Sequence, residues 1–221
     1  MLAKNIEQKL IDIFLEKNSQ INLSAIRDEQ GVRLRHIQDS LIPFEKGFVK
    51  LKPNQRVMDL GTGGGFPIMP LALQYPDVHF TGLDSVGKKV IAVESLIRQM
   101  GIPNIEMENG RIEDFAHDES FREMFDLVIS RALAQFSTAL EYMMPFAAPG
   151  GYVAIYQGPR VNDDLVEKKN VIRKLGGELV DLYNYRLDDE DIDRYFLVIK
   201  KLGKTPMHYP RAVGIPKSQP L

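Results

Sequence analysis

The chain has 221 residues, 44% of them hydrophobic, and a formal net charge of −2 at pH 7. That length suits one α/β domain with an appendage and a sizeable core. There is no cysteine, which excludes disulfides, thiolate metal sites and cysteine nucleophiles. The acidic balance argues against a general nucleic-acid coat but leaves room for a local basic patch.

Apolar residues at Ile6, Leu10, Ile13 and Phe14 have helical spacing and predict a helix over Leu2–Lys17. Its charged start lacks a signal-peptide core, and no apolar run is long enough to cross a membrane, so a cytoplasmic protein is expected. Asn22–Arg27 reads as a polar turn. A second helix is predicted over Glu29–Ser40, with Leu34, Ile37 and Leu41 on its apolar face. Pro43 and Lys50–Gln55 mark a linker. Strands and helices then alternate. Strands are predicted at Val57–Leu60, Phe80–Asp84, Ile105–Asn109, Leu127–Ser130 and Tyr152–Tyr156, and helices at Pro70–Tyr75, Lys88–Met100, Ser137–Phe146 and Asp163–Leu175. Such alternation predicts a parallel sheet covered on both faces. Glu178–Arg186 and Arg194–Lys201 have no helix between them and read as a terminal antiparallel hairpin, joined by the acidic loop Leu187–Asp193. The expected fold is a doubly wound, mostly parallel seven-stranded α/β sheet. Its expected parts are a helical segment (1–50), the sheet domain (51–202) and a basic tail (203–221). From Lys200 onward five cations and no acid occur, and four prolines are expected to keep the segment extended over a surface.

Residues 57–65, Val-Met-Asp-Leu-Gly-Thr-Gly-Gly-Gly, carry the most information. A strand ends in Asp59, a turn follows with Gly61, Gly63 and Gly65, and a helical stretch begins after Pro67. Strand, glycine turn and helix present bare backbone and a helix N-terminus to a nucleotide-like ligand. The dinucleotide pattern G-x-G-x-x-G needs glycine where this chain has Phe66, which argues against a nicotinamide enzyme. D-x-G-x-G-x-G instead points to S-adenosylmethionine (SAM). Asp84-Ser85 stands about 20 residues on, where a ribose-binding acid belongs. Gly110–Phe115, with Ile112 and Glu113, follows the third strand and is placed to flank the adenine. Ser130-Arg131-Ala132 ends the fourth strand, near the transferred methyl group.

Each residue also has a plainer reading. Asp84 could cap the next helix. Arg131 could be an ion-pair partner, with Asp126 nearby in sequence. His36 could be structural, and the tail simply solvated. His36, His79, His117 and His208 are scattered without ligand spacing, so no metal is expected. Absences narrow the acceptor. Carbon-5 methylation of a pyrimidine commonly needs a thiolate, and exocyclic-amine methylation a Pro-Pro-aromatic motif after the fourth strand. An acceptor with a free lone pair and no proton to lose, such as guanine N7, needs neither; the residues permit that atom without singling it out.

The chain resembles the RsmG (GidB) family of bacterial methyltransferases of guanine N7 in 16S ribosomal RNA. The resemblance rests on Asn22–Arg27, Arg35–Leu41, Asp59–Pro67, Leu83–Lys89, Arg111–Glu113, Ile129–Ala132, Tyr209–Arg211 and Pro216-Lys217. It implies that Gly61, Phe66, Asp84, Ser85, Ile112, Glu113 and Arg131 line the SAM site, and that Arg27 and His36 help receive RNA. The expected set includes Asp59, Gly63 and Gly65 for the cofactor, Arg131 for catalysis, and Arg160, Lys204, Arg211 and Lys217 for RNA. Gln157 replaces a family lysine, with Arg160 as the candidate replacement charge. The expected partner is 16S rRNA within the small subunit or an assembly intermediate, met by a monomer away from membranes. The competing classes are a small-molecule methyltransferase, which would tolerate loss of Lys200–Leu221, and a SAM-binding assembly factor without transfer activity.

Overall fold

Val57-Met58 and Leu127-Val128-Ile129 are continuous apolar runs, the pattern of strands covered on both faces. In the computed structural model, which describes residues 2–188 and 191–221, they lie in the two central strands, β1 (Arg56–Leu60) and β4 (Phe125–Arg131). Around them lie β2 (His79–Asp84), β3 (Ile105–Asn109), β5 (Ala147–Gln157), β6 (Gly177–Tyr185) and β7 (Arg194–Lys201), in the order β3-β2-β1-β4-β5-β7-β6. All pairings are parallel except those of β7, which runs antiparallel to β5 and β6. The expected doubly wound sheet and its terminal hairpin are therefore both present. Strand order reverses between β1 and β4, and the C-terminal edge at such a point is where open α/β sheets bind ligands.

Helix α1 (Lys4–Gln20) packs on one face with α4 (Ile68–Gln74) and α5 (Gly87–Met100), sharing a core that contains Phe14, Ile37, Phe80 and Ile129. The other face carries α7 (Phe136–Met143) and α8 (Val161–Lys174), packed on Met58, Val128 and Ile199. Among the described residues no helix is long and apolar enough to cross a membrane.

The helical stretch after the first turn differs from expectation. It runs as α2 (Glu29–Gly31), a π-helical segment (Val32–Gln38) and α3 (Asp39–Glu45), passing through Pro43. Proline removes one bond of the ladder. Leu41 and Phe44, both buried, hold the helix on the sheet despite that loss. The turn between α1 and α2 is organised by Asn18, which is 2% exposed. Its amide nitrogen donates to the carbonyls of Ser24 and Ile26, and its oxygen accepts the N–H groups of Leu23 and Ser24. Strand β5 starts earlier than predicted because Pro149-Gly150-Gly151 reads as a turn but forms a bulged strand. Gly151 is required there, since a Cβ would lie 2.8 Å from the Asp126 carbonyl oxygen. In the acidic loop, Asp191 and Asp193 pair with Arg186, while Asp189 and Glu190 lie outside the described residues.

The tail is fastened down along the α7 face rather than solvated. Lys201 is fully buried, and its ammonium donates to Met144 O at 2.6 Å and to the Thr205 hydroxyl. Burial pushes its pKa down to about 8. Arg122 donates to the carbonyls of Thr205 and Tyr209. The segment is not wholly extended: Tyr209 N–H closes a turn on Pro206 O, and Ile215–Ser218 forms a last helical turn, α9. Removing Lys200–Leu221 takes away the end of β7 and a buried lysine, so it does not separate the substrate classes. The expected outcome of that deletion is loss of the cooperative thermal transition in circular dichroism, with or without any substrate.

Candidate active site

The glycine turn leaves β1 with Gly61 at φ +72° and Gly65 at φ +89°, values that residues with a side chain rarely adopt. At Gly61 a Cβ would stand 2.7 Å from Leu133 Cδ1, so the turn and the loop after β4 close on each other only across a bare backbone. Asp84 ends β2 and is 9% exposed. Its two carboxylate oxygens accept the Gly63 N–H at 2.8 Å and the Val86 N–H at 2.9 Å. Asp84 therefore ties the glycine turn to the residue before α5 without capping that helix, whose N-cap Val86 has no side-chain cap bond. A carboxylate has lone pairs left for hydroxyl donors after two such bonds.

Beside this bridge lies a cavity of about 420 Å³. Gly61, Gly63, Asp84, Ser85, Ile112, Glu113 and Lys217 line it. Tyr142 and Leu133, which the sequence did not single out, complete its walls. Ile112 and Glu113 sit on a single helical turn, α6 (Ile112–Phe115). Glu113 accepts the Tyr142 hydroxyl at 3.0 Å, and burial together with that carboxylate pushes the Tyr142 pKa up to about 12, keeping it a donor.

A second cluster stands behind the turn. Phe66 stacks on His36 at 4.5 Å with an interplanar angle of 11°, and Phe14 meets Phe66 edge-on at 4.9 Å. Arg131 Nη1 donates to Asp39 Oδ2 at 2.8 Å and to the Arg35 carbonyl at 3.1 Å. The Tyr185 hydroxyl holds the other Asp39 oxygen at 2.8 Å. The ion-pair partner of Arg131 is thus Asp39, from the N-terminal helices. Asp126 instead accepts the Arg56 N–H at 2.8 Å, at the start of the strand, where β4's side chains cannot bring Arg131. Burial and the Arg131 charge push the His36 pKa down to about 4. A neutral imidazole results. Its Nδ1 faces a donor-only guanidinium at 3.5 Å, so Nδ1 accepts and Nε2 donates to Ser24 Oγ at 2.8 Å. Ala132, next to Arg131, adopts φ +57°, the strained left-handed region, where the chain turns to line the cavity.

Asp59 is 1% exposed, and neither carboxylate oxygen has a hydrogen-bond partner. Burial pushes its pKa up to about 7. A buried acid without a close partner is costly, and Asp59 lies beneath the glycine turn rather than on the cavity wall, so it acts on a bound cation only through its charge. SAM carries a sulfonium and an ammonium. The bare turn, Asp84, Glu113 and the apolar Ile112 and Leu133 line a cavity that fits it.

The remaining expected residues separate. Arg27 is exposed and donates to Asn22 on the loop that packs against Gly64. Arg160 is exposed just past the C-terminal end of β5, on the cavity's edge of the sheet. Lys204 follows β7, whose end pairs with the beginnings of β5 and β6, so it sits at the opposite edge, away from the cavity. Arg211 forks onto Glu141, with Nε and Nη2 at 2.9 and 2.7 Å from a fully buried carboxylate. Its guanidinium serves to anchor the tail.

Comparison with known proteins shows the family and the fold. The model of the family described as GidB, rRNA small subunit methyltransferase G, matches residues 4–191. The chain belongs to this family. A relative from Alkaliphilus oremlandii named ribosomal RNA small subunit methyltransferase G is 36% identical over 213 residues, covering 96% of this chain and 88% of the relative. One of the same name from Lactobacillus johnsonii is 36% identical over 210 residues, covering 95% and 88%. Among solved structures, a 16S rRNA (adenine(1408)-N(1))-methyltransferase with SAM superposes with a TM-score of 0.57 at 15% identity, covering 70% of this chain and 88% of that one. At that identity it speaks for the fold alone.

Proposed function

We infer that the protein transfers the methyl group of SAM to N7 of a guanine in 16S ribosomal RNA. The observation that carries this reading is the cavity at the β1–β4 switch point, where Gly63 N–H fixes Asp84 beside a bare glycine turn, in a chain of the GidB family. When bound, SAM supplies an electrophilic methyl on a sulfonium. Guanine N7 holds an in-plane lone pair and no proton. As the N7–carbon bond forms, the sulfur–carbon bond breaks and its electron pair stays on sulfur, leaving S-adenosylhomocysteine. No base is required, and the chain's work is orientation and exclusion of water. Gly61, Gly63, Asp84, Ser85, Ile112 and Glu113 hold the cofactor, with Asp59 and Gly65 supporting the turn. Phe66 and Arg131, expected to line the cofactor site, are not among the residues that line the cavity; with His36 they stand behind the glycine turn, and in this reading they serve the acceptor base. Arg27, Arg160 and Lys217 are exposed cations on that side, as is Arg111 on the cavity wall.

With net charge −2, phosphate neutralisation is too weak to give tight binding to naked RNA. The substrate is therefore a small subunit or assembly intermediate. Labelled SAM and unmethylated subunits, followed by borohydride–aniline cleavage, test the reading. One cleavage site is expected. Label in RNA without cleavage changes the acceptor atom, and no label in RNA returns the small-molecule or non-catalytic classes. Equal rates on deproteinised RNA and intact subunits would remove the subunit requirement.

A further inference from the structure

The end of the chain builds one wall of the cavity. Glu113 is 6% exposed, and Gly214 N–H, 101 positions on, donates to its Oε1 at 3.1 Å alongside the Tyr142 hydroxyl. A nearly buried carboxylate needs donors, and α6 has only four residues to hold it. Its side chain is therefore set by Tyr142 and the tail. The tail in turn is pinned on both sides of Gly214. Arg211 grips Glu141, and the Thr138 hydroxyl, 1% exposed, donates to Pro216 O at 2.8 Å. Lys217 then lies on the cavity wall with Arg111 and Ile112.

We propose that residues 213–221 are part of the cofactor site: Gly214 N–H positions the Glu113 carboxylate, and Lys217 closes that side of the cavity. This rests on the SAM reading above. It gives the tail a role distinct from general attraction to RNA, since Lys204 lies on the far edge and Arg211 is spent on Glu141.

The test uses the full chain, a 1–212 chain that keeps the Arg211–Glu141 pair, and Glu113→Gln in both. SAM affinity is read by calorimetry and folding by thermal melts. The 1–212 chain is expected to melt cooperatively and to bind SAM about tenfold or more weakly. Glu113→Gln is expected to weaken the full chain similarly yet add little in 1–212, because both changes act through one carboxylate. A merely destabilising truncation would leave the two effects additive. Folded 1–212 with the full chain's affinity overturns the proposal. A second measurement does not depend on the truncated chain. The sequence has no cysteine, so Lys217→Cys is a unique thiol, and SAM is expected to slow its alkylation severalfold while leaving Lys204→Cys unaffected. Alkylation at position 217 that ignores SAM overturns the proposal as well. A full chain that binds no SAM removes the cofactor reading and this proposal with it; binding by the full chain, unchanged on truncation, removes only the tail's role.

Discussion

Asp59→Asn is expected to give a protein that melts higher than the wild type at pH 8 and binds SAM more weakly. The two effects share a cause. The Asp59 carboxyl is fully buried, the Thr62 hydroxyl and the Arg131 charge offset only part of that burial, and its pKa is about 7 in the fold against 3.8 for a free side chain. Between those values the folded state binds more protons than the unfolded one, so stability falls as pH rises through the window. Above pH 7 the ionised group opposes folding by about 2–4 kcal/mol. Asparagine has the same shape and no charge, so its stability gain should appear above pH 7 and vanish near pH 4. His36 has the opposite sign. Its folded pKa of about 4 lies below the ordinary 6.5, so stability is lost as pH falls from 6.5 through 4. In the wild type the two slopes oppose each other across that window. In Asp59→Asn the His36 slope stands alone, and the melting temperature should fall steadily on acidification. The cofactor side follows from the same charge. Binding a cationic ligand favours the ionised carboxylate, so wild-type SAM affinity should weaken toward tenfold per pH unit below pH 7. Thermal melts and SAM titrations from pH 4 to 8 check both. An Asp59→Asn chain no more stable than wild type at pH 8 would sink the buried-acid account.

The frame of the molecule was legible because its signals are local. β-branched and apolar runs mark β1, β2 and β4, and the glycine turn and Asp84 lie within one strand–helix–strand unit. The doubly wound order then follows from right-handed crossovers. What escaped depends on partners far apart in sequence. Asp39 reads as one more charge in a helix, and only the fold brings it to Arg131, 92 positions away. Glu141 lies inside an apolar helical run, and its meaning comes from Arg211, 70 positions on. Tyr142 became a site residue through Glu113, 29 positions before it. α6 and α9 are too short to show a period, and helical spacing needs several turns to register. The tail does lie over a surface, as its prolines suggest, but its cations mislead as RNA contacts: Lys201 is core, Arg211 is an anchor and Lys204 faces the wrong edge. Composition counts charges without their partners.

Arg131→Ala is expected to lose transfer and also to lose stability, which a free arginine at a pocket mouth would not do. Arg131 is 15% exposed and Asp39 4%, and they meet at 2.8 Å. Removing one member of a buried pair leaves the other charge stranded, at a cost of about 3–5 kcal/mol. Here Asp39 keeps the Tyr185 hydroxyl at 2.8 Å and has Arg194 at 3.7 Å. The expected loss is therefore nearer 2 kcal/mol, and the chain remains folded. The same pair joins the N-terminal helices to the end of β4, so the variant also loosens the His36–Phe66 stack behind the glycine turn. Turnover alone cannot separate these effects, and Arg131→Lys does. Lysine retains the charge and can reach Asp39, but it lacks the second guanidinium nitrogen, Nη2, that faces His36 Nδ1 at 3.5 Å. Its melting temperature should return most of the way to wild type. Single-turnover methyl transfer to subunits should remain depressed by about tenfold or more, because the geometry at the acceptor's entrance is set by the guanidinium. Wild-type transfer in Arg131→Lys would assign Arg131 to holding the helices on the sheet, and the catalytic contact would have to be sought among the residues that line the cavity itself.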